Sequence, residues 1–142
     1  MGLVKMESER VAIDQLEGGP ELCEWFEGVP SFHDATLTEL ERRQGAPSRI
    51  VAHTFKMGSE LDSKGFFILT KHVVVTLTIF DLALVELFEF MEAGIMGGLD
   101  IERDEEGVTL SFDASYGVHG RIKAKRVTVS FKPKTVEVAA QL

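Results

Sequence analysis

His33 and Asp34 are the only adjacent histidine and carboxylate pair in the 142-residue chain. An imidazole beside a carboxylate has the makings of a general base, provided both groups reach one substrate. Neighbours on a strand point to opposite faces, so the pair cooperates only across a turn. The flanking residues favour one. Pro30 biases Val29 away from helix geometry, and Ser31 and Asp34 are turn formers whose side chains bond nearby backbone. Acyl-transfer chemistry would also need a nucleophile and oxyanion donors, and no Ser or Cys nucleophile motif accompanies the pair. The first expectation is therefore a structural turn. In it His33 and Asp34 bond backbone groups, and Phe32 packs into the core beside Trp25. The competing expectation is a small-ligand or metal-assisted enzyme that uses His33, Asp34 and His119.

The other chemically capable residues are sparser. None of His33, His53, His72 and His119 lies within metal-ligand spacing of another, and a single cysteine excludes a zinc ribbon. No metal or other cofactor is expected. His53 falls on an apolar face and reads as a satisfied core or half-buried histidine. Cys23 sits beside Trp25 and Phe26 and reads as a buried structural thiol, since a reactive one needs an electropositive setting. Gly117, Val118, His119 and Gly120 make a glycine-bounded turn, not a phosphate loop. The acids from Asp100 to Glu106 lack calcium-loop spacing and read as a solvated hairpin tip. Arg121, Lys123, Lys125 and Arg126 form a basic stripe, expected to pair with acids on a neighbouring strand.

The elements that position these groups are mostly strands. Met1 to Arg10 reads as a loose lead-in to one domain covering 1–142. Val11 to Ile13 suits a short strand or a helical turn. Gly18-Gly19-Pro20 is a break, and Pro20 to Glu27 predicts a short helix closed at Gly28. Ala35 to Arg43 and Arg49 to Met57 predict a hairpin, with Val51, His53, Phe55 and Met57 on one face. Gly58 to Gly65 reads as a loop and Phe66 to Leu69 as a short edge strand. His72 to Phe80 is the strongest strand signal, rich in β-branched residues, and Asp81 interrupts it. Leu82 to Met91 fits helix and strand equally well.

Leu99 to Asp113 predicts a hairpin in which Val108, Leu110 and Phe112 face inward and Thr109 and Ser111 outward. Arg121 to Phe131 predicts a last long strand whose apolar parity slips, which a bulge or bend near Lys125 and Arg126 would reconcile. Thr135 to Val138 suits a further edge. The fold class is mainly β (α+β): an antiparallel, meander-like sheet, in one or two layers, with one short N-terminal helix.

With 23 acids against 15 bases, the chain carries a net charge of −8. That argues against nucleic acid as a partner and suits a basic one. No stretch reaches the ~18 apolar residues of a membrane span. Met1 to Gln15 mixes charged and apolar residues, which predicts no signal peptide, and one cysteine fits the reducing cytoplasm.

Three segments are similar to the immunity protein 50 family of bacterial polymorphic-toxin systems. The first is Pro30-Ser31-Phe32-His33-Asp34-Ala35, followed by Leu37 and Leu40. The second runs from Phe80-Asp81-Leu82 through Leu87 and Phe90, then from Ile95 to Ile101. The third is Gly117-Val118-His119-Gly120. The resemblance implies a cytosolic, non-enzymatic protein that neutralises a cognate toxin by binding it, and it supplies no catalytic residues. A structural homodimer joined through edge strands is a further expectation.

Overall fold

The computed structural model describes residues 9–43, 45–88, 94–112 and 117–134. Among them are a three-residue strand β1 (Glu9–Val11), a 3-10 turn (Ile13–Gln15) and one α-helix, α1 (Gly19–Phe26). Seven further strands follow: β2 (Thr36–Glu41), β3 (Ser48–Leu61), β4 (Phe67–Phe88), β5 (Gly94–Ile95), β6 (Leu99–Asp104), β7 (Gly107–Phe112) and β8 (His119–Pro133). They form one antiparallel sheet in the order β1-β6-β7-β8-β4-β3-β2-β5. The mainly β class with one short helix is as the sequence implies. Two meanders, β2-β3-β4 and β6-β7-β8, are fused by the β4–β8 pairing into a single hydrogen-bonded sheet.

The connection from β5 to β6 forces this sheet to curl. The two strands stand six interstrand spacings apart in the order, about 29 Å if the sheet were flat. Only Met96 to Gly98 join them, and four Cα steps reach about 14 Å at most. The edges must therefore approach one another. Met96 marks the meeting, bridging to Val118 at the start of β8 and lying almost fully buried.

Alternation decides what fills the interior. Val73, Val75, Leu77 and Ile79 of β4 meet Ile50 and Ala52 of β3, Val127 and Val129 of β8, and Leu110 and Phe112 of β7 in one cluster. Helix α1 adds Leu22 and Phe26, with Trp25 against Phe131 at 5.8 Å between rings. The helix ends with Glu27 in the left-handed region, its N–H donating to Cys23 O and Glu24 O. Gly28 follows rather than taking that position itself.

Several sequence expectations change. Glu9 and Arg10 are not lead-in but part of β1, paired with Arg103 and Glu102; residues 1–8 lie outside the described set. The buried face of β3 is Ile50, Ala52 and Thr54, not the face of Val51, His53, Phe55 and Met57. Gly58 to Leu61 belongs to β3, so the loop shrinks to residues 62–66. Phe67 to Leu69 is not a separate edge strand but the start of β4. Asp81 does not stop β4. It adopts φ of 55° and the strand runs on to Phe88, which settles residues 82–88 as strand; 89–91 lie outside the described residues, as do Asp113 and 135–138.

The parity slip in β8 is shared with its partner. Lys125 and Arg126 are both exposed, yet the register holds from Phe80↔Arg126 to Leu82↔Ala124. The extra residue sits on β4, between Leu82 and Leu84, next to the left-handed Asp81. Among the described residues no helix is long and apolar enough to cross a membrane.

Candidate functional site

The two segments singled out by their residue types, 32–34 and 117–120, lie on either side of the β5–β6 crossing. Asp34 N donates to Met96 O at 2.9 Å, and Met96 N donates to Ala35 O at 2.8 Å. Val118 N donates to Ile95 O at 3.1 Å. Backbone from three distant parts of the chain is thus laced together at one point. Phe32 and Asp34 both have positive φ, 62° and 63°. Asp tolerates that conformation; a phenylalanine there is strained and must be held by its surroundings. Phe32 is buried, at 2% exposure, and lines a small recess together with Val11, Ile13, Leu99 and Ile101. The expected neighbour Trp25 packs on Phe131 instead.

The side chains of His33 and His119 face backbone. His33 Nδ1 lies 2.8 Å from Gly97 O, so the ring donates there, while its Nε2 lies 3.5 Å from Asp34 Oδ2. The His33 backbone N–H donates to Ser31 Oγ at 3.2 Å. His119 Nδ1 lies 3.2 Å from Gly117 O, and its ring stacks on Phe88 at 5.3 Å. The turn therefore brings His33 and Asp34 into contact, as a general base would need, but His33 is tethered through one nitrogen to Gly97. The pair is more than two-fifths exposed on both sides, so its ionic attraction is weak.

Gly117 and Gly120 are required by the packing. At Gly117, with φ of 70°, a Cβ would run into Ile95 O; at Gly120, with φ of 128°, it would run into Glu86 O. The glycine-bounded turn is what lets β8 start flush against both β5 and the end of β4. Among the described residues no group of three or more His, Cys, Asp and Glu side chains is placed to hold a metal ion.

Of the other residues singled out, Cys23 is half-buried, and burial followed by the nearby Asp14 pushes its thiol pKa up, away from reactivity. In the basic stripe Arg121 pairs with Glu86 of β4 at 3.2 Å, as expected. Arg126 instead reaches Glu17 outside the sheet, at 2.9 Å, and covers the Phe80 ring.

Sequence reasoning missed two features. His53 and His72 meet across β3 and β4, Nε2 to Nδ1 at 3.1 Å, beside Phe55. Aligning the two strands as one hairpin would have shown it. Burial, then Lys134 and His72, holds the His53 pKa below its ordinary value of 6.5. The second feature is a concentration of acid at one edge of the sheet. Residues 9–15 and 99–107 carry seven acids against two bases, a net of −5 out of the chain's −8. Arg10 is paired with Asp100 at 3.1 Å, and Arg103 donates to Gln15 O. At the β6–β7 turn Asp104 Oδ1 accepts from Glu106 N and Gly107 N, which leaves the turn acids Glu105 and Glu106 exposed.

No family model matches the chain, and neither does any curated protein or solved structure.

Proposed function

We propose that the chain is a non-enzymatic immunity-type protein of the bacterial cytoplasm that binds and neutralises a cognate toxin domain. The acidic edge carries this reading. β6 and the turn at Glu105 and Glu106, beside the charge-balanced β1, hold half of the chain's excess negative charge. A basic toxin domain, such as a nuclease, would be drawn to that edge and oriented by it, with the largest effect on the association rate. The three segments that resemble the immunity protein 50 family support the same reading. All three contribute backbone to the joint at Met96, so in this chain they serve as framework that fixes the sheet from which the acidic edge projects.

The test begins with the genes on either side. The toxin domain encoded beside this chain is purified and titrated with it at several salt concentrations. Tight binding that weakens steeply with salt is expected, together with relief of toxicity on co-expression. Replacing Glu105 and Glu106 by Lys is expected to slow association about tenfold or more while leaving the melting temperature unchanged. If no neighbouring gene encodes a toxin domain and no neighbour-encoded protein binds, the proposal fails. Binding that ignores both salt and the charge reversal would move the contact away from the acidic edge.

A further inference from the structure

β3 and β4 outrun the rest of the sheet. Pairing of β2 with β3 ends at Thr36↔His53, and pairing of β8 with β4 ends at Val73↔Pro133, extended only by Lys134 N donating to His72 O. Beyond these points, among the described residues, the two strands pair only with each other, through Lys56↔Thr70, Met57↔Leu69 and Leu61↔Phe67, to the turn where Asp62 accepts from Lys64 N and Phe66 N. This ribbon is apolar where it is most exposed. Met57 is 53% exposed, Leu61 56%, Phe66 68%, and Ile68 and Leu69 39% each. Those are five of the eight large exposed hydrophobics among the described residues. A lone two-stranded ribbon is marginal in water, and exposed apolar side chains gathered on its two faces mark a contact surface. Among the described residues no third strand pairs with the outer edge of either strand here, which leaves a template for another strand.

Charge selects the occupant. Residues 55–70 contain Lys56, Glu60, Asp62 and Lys64, which cancel, in a chain of net charge −8. Two copies of so acidic a chain repel each other over most of their surface. The arm is a place where they meet without that penalty. It is also self-complementary, because antiparallel pairing of one arm's edge with the same edge of another closes a two-fold contact.

We propose that the β3–β4 arm is a homodimer interface, in which a second copy of this chain covers Met57, Leu61, Phe66, Ile68 and Leu69. None of these five residues belongs to β1, β6 or the turn after it, so the contact is made by other side chains than those assigned to a basic partner.

Sedimentation velocity of the full chain across the micromolar range tests this. The expected result is a shift from one chain of 15.7 kDa to twice that mass as concentration rises, with little dependence on salt. The double variant L61K/L69K is expected to stay a monomer at every concentration, with the circular dichroism spectrum of the parent. Hydrogen exchange on the parent needs no variant. Amides of residues 55–61 are expected to gain protection as concentration rises, while those of the β6–β7 hairpin do not change. A parent that is monomeric throughout overturns the proposal. So does a dimer that L61K/L69K leaves intact, a dimer whose arm amides exchange no more slowly than in the monomer, or an arm covered only by a different protein.

Discussion

The joint at Met96 and the β3–β4 arm are built from similar apolar residues and put them to opposite use. At the joint, Phe32, Met96 and Val118 are buried, the backbone is held in unusual conformations, and three separate segments bond one another. On the arm, Leu61, Phe66 and Leu69 are exposed, on strands that among the described residues pair in the sheet only with each other. Stability and association therefore reside in different parts of the sheet. Apolar area removed from water inside the curled sheet stabilises the fold, at roughly 25 cal/mol per Å2. Apolar area left on the arm contributes only when something covers it.

Substitutions inside the curled sheet should have the largest effects. Phe112 is 4% exposed and packs with Leu110 and Ile122 in the core cluster. Phe112→Ala is expected to cost about 3–5 kcal/mol in urea unfolding. A loss below about 1 kcal/mol would mean that this face is not the interior. Gly120→Ala comes next. The new methyl meets Glu86 O at a φ that L-residues avoid. The backbone of β8 must shift against β4, at a cost on the order of 2–4 kcal/mol. A variant as stable as the parent would show that β8 does not start where it is placed here.

Asp34 separates framework from chemistry at the joint. Its φ of 63° suits Asp and Asn and penalises Leu. Asp34→Leu should lose about 1–2 kcal/mol, and Asp34→Asn less than about 0.5 kcal/mol. If both variants melt like the parent and only toxin binding is lost, Asp34 is a contact residue, and its part in the joint is incidental.

A smaller effect is expected from pH. The folded chain holds His53 below 6.5, chiefly through burial. As pH falls through 6.5 the unfolded chain takes up the proton and the folded chain resists it, so the balance tips toward unfolding. This contribution is complete above 6.5, is lost as pH drops toward the lower folded value, and then levels off. Urea titrations from about pH 8 to about pH 5 should show the slope, and His53→Gln should flatten it. An unchanged slope in the variant would assign the dependence to other groups.

Much of the framework was legible because alternation and turn chemistry are local. Val108, Leu110 and Phe112 are inside as their spacing implies, and Pro20 to Glu27 marks the helix to within a residue of its ends. Legibility stopped where both faces of a strand are apolar. In β3, Val51 and Phe55 on one side compete with Ile50 and Ala52 on the other, and alternation cannot tell which side the sheet curls toward. The length of the arm was hidden by Gly58 and Gly65, which read as loop ends although only Gly65 lies in the turn. The crossing at Met96 depends on strands far apart in the chain, so no local pattern announces it. The segments from Phe32 to Asp34 and from Gly117 to Gly120 were conspicuous for their residues, but what they grip came only from the fold.

The smallest effect should come from repeating the core substitution on the arm. Phe66 is 68% exposed, against 4% for Phe112. Phe66→Ala removes the same atoms but almost no buried area, so dilute protein should unfold within about 0.5 kcal/mol of the parent. Concentration should then separate the two. If the arm joins two copies, the parent gains stability as it dimerises, by mass action, and its melting temperature climbs with protein concentration. Phe66→Ala should climb less, while Phe112→Ala, destabilised at every dilution, should still climb as the parent does. Parallel behaviour of the parent and Phe66→Ala at all concentrations would break the contrast, because Phe66 would then be as idle in the assembled protein as it is in the single chain.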